Sequence, residues 1–175
     1  KTTDTMVPGL EHQTTGPYSR AMQKLRLGII GAGGIVRTRH LPGLLGIPDL
    51  EFTAVANSSL QSSREFIDRY QLTAEAVEDW RDLVVREDVD IVWIGATPYL
   101  HQPATMAALQ AGKHVFCQAR MACNADEGLA MLKASQARPD LVTMLCPPPM
   151  GLEKDTYFKS VLADQPNGPT THLRL

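Results

Sequence analysis

Leu25-Arg26-Leu27-Gly28-Ile29-Ile30-Gly31-Ala32-Gly33-Gly34-Ile35-Val36 is the stretch whose reading decides the fold. Its first six residues form a largely apolar run of strand length that ends at Gly31. An amphipathic stretch then continues to about Leu45, and Pro42 is expected to kink or shorten that helix. Gly31 suits a tight turn, and the missing Cβ of Gly33 lets a pyrophosphate approach the backbone. A helix beginning there presents unpaired N–H groups and a partial positive charge. The third position of the G-x-G-x-x-G pattern is Val36, which loosens the match. A G-x-G alone says little, because tight strand-to-helix turns use glycine for geometry. Its place between the first strand and the first helix of a βαβ unit points to dinucleotide phosphate binding.

The same alternation continues outward from this turn. Residues 51–56 (Glu-Phe-Thr-Ala-Val-Ala) read as a second strand, and Ser62 to Tyr70 as a helix with Phe66 and Tyr70 on one face. Asp79 to Val85 reads as a short helix capped by Asp79. Asp90 to Ile94 is a strand covered on both faces, and Pro103 to Gln110 a helix stopped by Gly112. His114 to Cys117 is the next strand, Ala125 to Ala137 a helix capped by Asn124, and Leu141 to Cys146 a further strand. After Pro147-Pro148-Pro149 the pattern predicts a helix from Leu152 to Leu162 and an opening strand at Thr171 to Leu175. Strands and helices joined by short connections build an α/β, doubly wound parallel sheet. Ligands on such sheets bind beyond the carboxyl ends of the strands. Functional residues are therefore expected at 31–37, 57–60, 95–101 and 117–121.

Composition narrows the function. The chain has 175 residues, 43% hydrophobic and 21% charged, with a formal net charge of −2. That composition is globular, and the near-neutral balance leaves no overall electrostatic footprint for nucleic acid or an anionic membrane. No apolar run approaches the roughly 18 residues of a spanning helix. A small-molecule partner is expected, with no nucleic acid and no membrane. Residues 1–24, rich in Thr, Gly and Pro, read as a flexible arm without a secretory signal. Met22 is a candidate natural start, which would make residues 1–21 an upstream extension. Cys117, Cys123 and Cys146 form neither a disulfide framework nor a zinc pattern, and they read as reduced, buried thiols. The five histidines show no metal-ligand spacing, so no metal is expected. His40 and His114 read as structural, Trp80 and Trp93 as packing residues, and Arg37 and Arg39 as a solvated face.

The end of the second strand bears on the cofactor. It reads Ala56-Asn57-Ser58-Ser59, with no carboxylate to accept from a ribose 2′-hydroxyl. Small polar residues tolerate a 2′-phosphate, which favours NADP over NAD. A methyltransferase-like domain is a remote alternative, since it would want an acidic residue at that place.

Three segments together carry a family likeness. Residues 25–44, residues 88–117 and the helix that follows resemble the glucose-fructose oxidoreductase / inositol dehydrogenase / rhizopine-catabolism (Gfo/Idh/MocA) oxidoreductases. The glycine turn, Thr97-Pro98 with His101, and Ala111-Gly112-Lys113-His114-Val115 carry the likeness, which covers about residues 24–146. The resemblance implies a Rossmann NAD(P)-binding domain at 25–150. Residues 151–175 would then be a linking helix and the start of a C-terminal α/β substrate domain, before which this chain is truncated. It implies that Gly31, Gly33, Gly34 and Ile35 hold the pyrophosphate. Asn57 and Ser58 would meet the adenosine ribose, and Thr97, Pro98, His101 and Gln118 would line the nicotinamide side. It further implies a cytoplasmic, homo-oligomeric enzyme when full length, moving a hydride to or from a sugar- or polyol-like substrate. One departure stands out. The family's usual Glu-Lys-Pro after the strand at 114–117 is Gln118-Ala119-Arg120 here. The lysine is missing, which leaves the catalytic residues unknown and opens the alternative of a non-catalytic dinucleotide-binding protein or subunit. Arg120 keeps its charge at every accessible pH, so it can bind an anion but cannot shuttle a proton. The fragment alone is expected to be inactive.

Overall fold

The computed structural model describes residues 24–146. The elements expected at 152–162 and 171–175, and the arm at 1–23, lie outside the described residues. Six parallel strands form one sheet in the order β3-β2-β1-β4-β5-β6. They are β1 (Leu25–Ile30), β2 (Leu50–Ala56), β3 (Glu75–Val77), β4 (Ile91–Ile94), β5 (His114–Cys117) and β6 (Thr143–Leu145). The chain moves outward to β3, crosses back to β4 beside β1, and moves outward again to β6. The switch point thus falls between β1 and β4, where a doubly wound sheet opens its crevice.

Helices cover both faces. Leu27, Ile29, Val36, Leu41, Val55 and Phe66 form one buried layer, under α1 (Leu41–Leu45) and α2 (Leu60–Tyr70). Ile30, Val92, Ile94, Leu83, Ala108 and Met131 form the other, under α3 (Trp80–Val84), α4 (Pro98–Gln110) and α5 (Ala125–Gln136). Successive residues of β1 feed opposite layers, as the period of two requires. Each fully buried aliphatic side chain contributes about 1.5–3 kcal/mol. Gly28 is needed for closeness, because a Cβ there would lie 2.7 Å from Leu83 Cδ2 on α3.

Two expectations are corrected, and one strand is added. Pro42 does not shorten the first helix, which runs to Leu45. The backbone widens instead into a π-helical stretch at Val36–His40, with the Leu41 N–H donating to the Val36 carbonyl, and Pro42 follows in the first turn of α1, where its missing N–H costs little. Helix α4 begins five residues before the expected Pro103. Pro98 occupies its first turn, where a fixed φ is preorganised, and Pro103 sits inside it. The strand β3 has no local sequence signature, because its three residues show no apolar alternation and it is held by pairing with β2.

The caps follow the reading. Asp79 accepts from the Arg81 N–H, and Asn124 from the Glu127 N–H. Ser59 and Ser62 form a reciprocal capping box at the start of α2. His40 and His114 are structural, as expected. The Trp93 indole donates to His40 Nδ1 at 3.0 Å, and the Val142 N–H donates to His114 Nδ1 at 2.9 Å. Burial holds the His40 imidazole below its ordinary range, which keeps that acceptor available. The thiols are unbridged but not uniformly buried. Cys117 is buried, and burial pushes its thiol up to about 11, whereas Cys123 is exposed and Cys146 intermediate.

Candidate nucleotide-binding cleft

A cleft of about 580 Å³ opens at the carboxyl ends of β1, β2, β4 and β5. Its floor is the crossing of two turns. Gly31 has φ +82°, and a Cβ on it would strike the Ala96 backbone. A Cβ on Gly95 would strike the Val36 side chain and lie 2.8 Å from the Gly31 carbonyl oxygen. These two glycines let the turn after β1 and the end of β4 touch, so both are required by the chain itself.

Gly33 and Gly34 differ in kind. Neither has a positive φ, and a Cβ on either would meet nothing within 4 Å. Both line the cleft, beside Ile35 at the start of the first helix. Neither conformation nor packing asks for glycine here. Two bare positions in front of a helix N-terminus form a cradle that side chains would fill, and that is the fit a dinucleotide pyrophosphate requires.

The walls come from the other strand ends. Asn57 and Ser58 follow β2, Thr97, Pro98 and His101 follow β4, and Gln118, Ala119 and Arg120 follow β5. The structure therefore brings every expected cofactor-site residue to one cleft. No carboxylate lines it among the described residues. Asn57 is held through its N–H, which donates to Ser63 Oγ at 2.9 Å, so its side chain is not spent on fixing the loop.

His101 is 1% exposed and braces the cleft from below. Its Nε2 lies 2.9 Å from the Ala96 carbonyl oxygen, and its Nδ1 lies 2.6 Å from that of Arg120. One side chain thus ties the loop after β4 to the loop after β5. A neutral imidazole has one N–H, so it donates to one carbonyl at a time, whereas an imidazolium donates to both. Arg120 is exposed at the cleft, across a cis peptide from Ala119. Ala119 offers no functional group, so the described lining holds no lysine.

Trp80, read as a packing residue, both packs against the core and lines the cleft, with the Arg81 guanidinium 4.7 Å from its ring centroid. The strand β3 is what delivers the start of α3 to this rim. Gly95, Ala96, Tyr99 and Leu100 also line the cleft, inside the segment expected to carry function but not singled out as candidates. The Gly-Ala-Thr-Pro sequence after an apolar strand was the available signal for Gly95.

Among the described residues, no helix is long and apolar enough to cross a membrane. Comparison with known proteins agrees with the geometry. The model of an oxidoreductase family with an NAD-binding Rossmann fold, Gfo/Idh/MocA, matches residues 25–145. The chain is 33% identical over 121 residues to a dTDP-3,4-didehydro-2,6-dideoxy-alpha-D-glucose 3-reductase of Streptomyces violaceoruber, covering 69% of this chain and 35% of that protein. It is 31% identical over 113 residues to an inositol 2-dehydrogenase of Salmonella typhimurium, covering 64% of this chain and 33% of that protein. The chain thus spans about a third of the length of these relatives. Among solved structures, a 3-ketoreductase from Actinomadura kijaniata in complex with NADP and TDP-benzene superposes with a TM-score of 0.67 at 27% identity, covering 81% of this chain and 42% of that one. With a family model matching most of its length and a crevice where the fold demands one, the chain belongs to the Gfo/Idh/MocA oxidoreductase family.

Proposed function

We propose that this chain is the nucleotide-binding part of an NADP(H)-dependent oxidoreductase acting on a sugar- or polyol-like substrate. The observation that carries the cofactor reading is the pair Gly33 and Gly34, glycines that face open cleft and that the chain does not need for itself. NADP is preferred over NAD because Asn57 and Ser58 line the cleft after β2 and no carboxylate stands beside them. An acidic side chain there would repel a 2′-phosphate, while amide and hydroxyl groups donate to it. The substrate class rests on relatives that are sugar reductases and inositol dehydrogenases by name.

When bound, the cofactor supplies the hydride donor or acceptor. The residues of this chain hold and orient it. Gly31 to Ile35 offer backbone N–H groups at a helix N-terminus. Thr97, Pro98 and Gln118 shape the end of the cleft at β4 and β5, and His101 fixes the spacing of its two loops. The described lining of the cleft holds no lysine or carboxylate to exchange a proton with substrate, and this reading assigns that group to another part of the full-length protein. Full-length protein should therefore oxidise NADPH with a keto-sugar, while residues 24–146 alone bind NADPH without turnover.

Ala119 favours one second reading, a dinucleotide-binding protein or subunit without catalysis of its own. NADPH consumption by the full-length protein across a panel of keto-sugars and keto-inositols separates the two. Turnover supports the oxidoreductase. Binding without turnover on every member supports the second reading.

A further inference from the structure

We infer that the substrate meeting this cleft at its β4–β5 end carries an oxyanion, a carboxylate or a phosphate, and that Arg120 selects it. The inference deepens the oxidoreductase reading and rests on it.

Charge accounting leads there. The guanidinium groups of Arg26, Arg81, Arg86 and Arg138 are spent on carboxylates of their own neighbourhood. The Arg69 guanidinium lies 5.7 Å from the Tyr70 ring centroid. Arg37, Arg39 and Arg64 make no ion pair among the described residues either, but Arg120 alone of the described arginines lines the cleft, and its guanidinium meets no carboxylate among the described residues. The described lining contains no Asp or Glu to oppose an anion. The main chain of Arg120 is not loose. Its carbonyl oxygen sits 2.6 Å from Nδ1 of the buried His101, which fixes the base of an otherwise exposed side chain. Helix α4, 13 residues long, starts at Pro98 on the same wall, and Thr97 gives it no side-chain cap. Its positive end adds to the field of the guanidinium.

Position argues for the substrate rather than the cofactor. The phosphate cradle lies after β1 and the candidate ribose contacts after β2. Arg120 follows β5, three strands from β2 in the sheet order and two from β1, which is about 14 Å from the ribose contacts and about 10 Å from the phosphate cradle at ordinary strand spacing. A planar guanidinium matches carboxylate and phosphate in a two-point fit, which gives selectivity as well as attraction.

The test uses full-length protein loaded with NADPH, with equilibrium binding followed by nicotinamide fluorescence. The probes are D-glucuronate and D-glucose 6-phosphate, against D-glucose and myo-inositol. We expect one anionic probe to bind at least tenfold more tightly than both neutral ones, and the better of the two names the oxyanion. Arg120→Gln should weaken that probe by about 10–100-fold, as loss of a charge-assisted pair does, and leave NADPH affinity within about threefold. Arg120→Lys should recover part of the preference. Equal or absent binding of the anionic probes overturns the inference, as does a preference that survives Arg120→Gln. Equal weakening of NADPH and probe also overturns it, by assigning Arg120 to the cofactor. Failure of the unmodified protein to bind NADPH or NADH is seen before any probe is added, and that result overturns the underlying reading instead.

Discussion

The two ends of the parallel sheet use charge in opposite ways. At the amino ends, arginines are locked. Arg26, in β1, gives its backbone N–H and two guanidinium nitrogens to Asp90 just before β4, at 2.7–2.9 Å. Arg86 joins Asp88 and Glu75, and Arg138 joins Asp140, in loops on the same side. At the carboxyl ends the cleft holds bare glycines, amides, hydroxyls and the guanidinium of Arg120, which forms no ion pair among the described residues. The amino end pairs its arginines with carboxylates, while the described lining of the cleft at the carboxyl end carries no Asp or Glu.

The largest expected effect would come from Gly31, at the floor of the cleft. Gly31→Ala forces a side chain into the Ala96 backbone at a positive φ, and should cost about 3 kcal/mol of stability in urea unfolding. Its near neighbour sharpens the contrast. Gly33→Ala should leave stability within about 0.5 kcal/mol, since the site is open and the φ is ordinary, yet weaken NADPH at least tenfold. If both substitutions unfold the protein, or neither affects NADPH, the separation of folding glycine from binding glycine collapses.

His101→Ala removes the brace between the two cleft loops and the hydrogen bond it donates, which should cost about 1–3 kcal/mol. His101→Gln keeps one donor and should recover part of that loss, as read by thermal unfolding.

The amino end makes its own prediction with pH. Hydrogen bonds from Arg26, above all, hold the Asp90 carboxyl below the usual carboxylate range. Its stabilising contribution is complete above about pH 4, the unfolded value, and is lost as pH falls through the lower folded value. Asp90→Asn should lower Tm at pH 7 by several degrees and flatten the acid limb of the Tm–pH curve, without changing NADPH affinity at pH 7. A loss of cofactor binding would break the division between the two ends.

The smallest effect is local. Ser59→Ala removes the cap of α2 and should cost about 1 kcal/mol, with NADPH weakened only slightly because Ser58, not Ser59, lines the cleft.

Much of this was legible beforehand, for identifiable reasons. The runs at 25–30, 90–94 and 114–117 announce buried strands, and Asp79 and Asn124 announce helix starts, because these signals are local. The glycine turn lies where the cleft opens. The rest depends on three-dimensional neighbours. Nothing local marks Glu75–Val77 as a strand, so the arrival of Trp80 at the cleft could not be foreseen. Pro103 masked the true start of α4, because a proline inside a helix looks like a proline that begins one. His101 stood out as a candidate, but its role as a brace between two loops exists only once β4 and β5 are side by side.

The central claim, that this cleft is shaped for NADP(H), is tested most directly by titrating the protein with NADPH and NADH while following nicotinamide fluorescence and thermal unfolding. The account predicts that NADPH binds more tightly than NADH, and that NADPH at about 100 times its Kd raises stability by about 2.7 kcal/mol. Tighter binding of NADH would contradict the reading of Asn57 and Ser58, and binding of neither would contradict the reading of the glycine cradle itself.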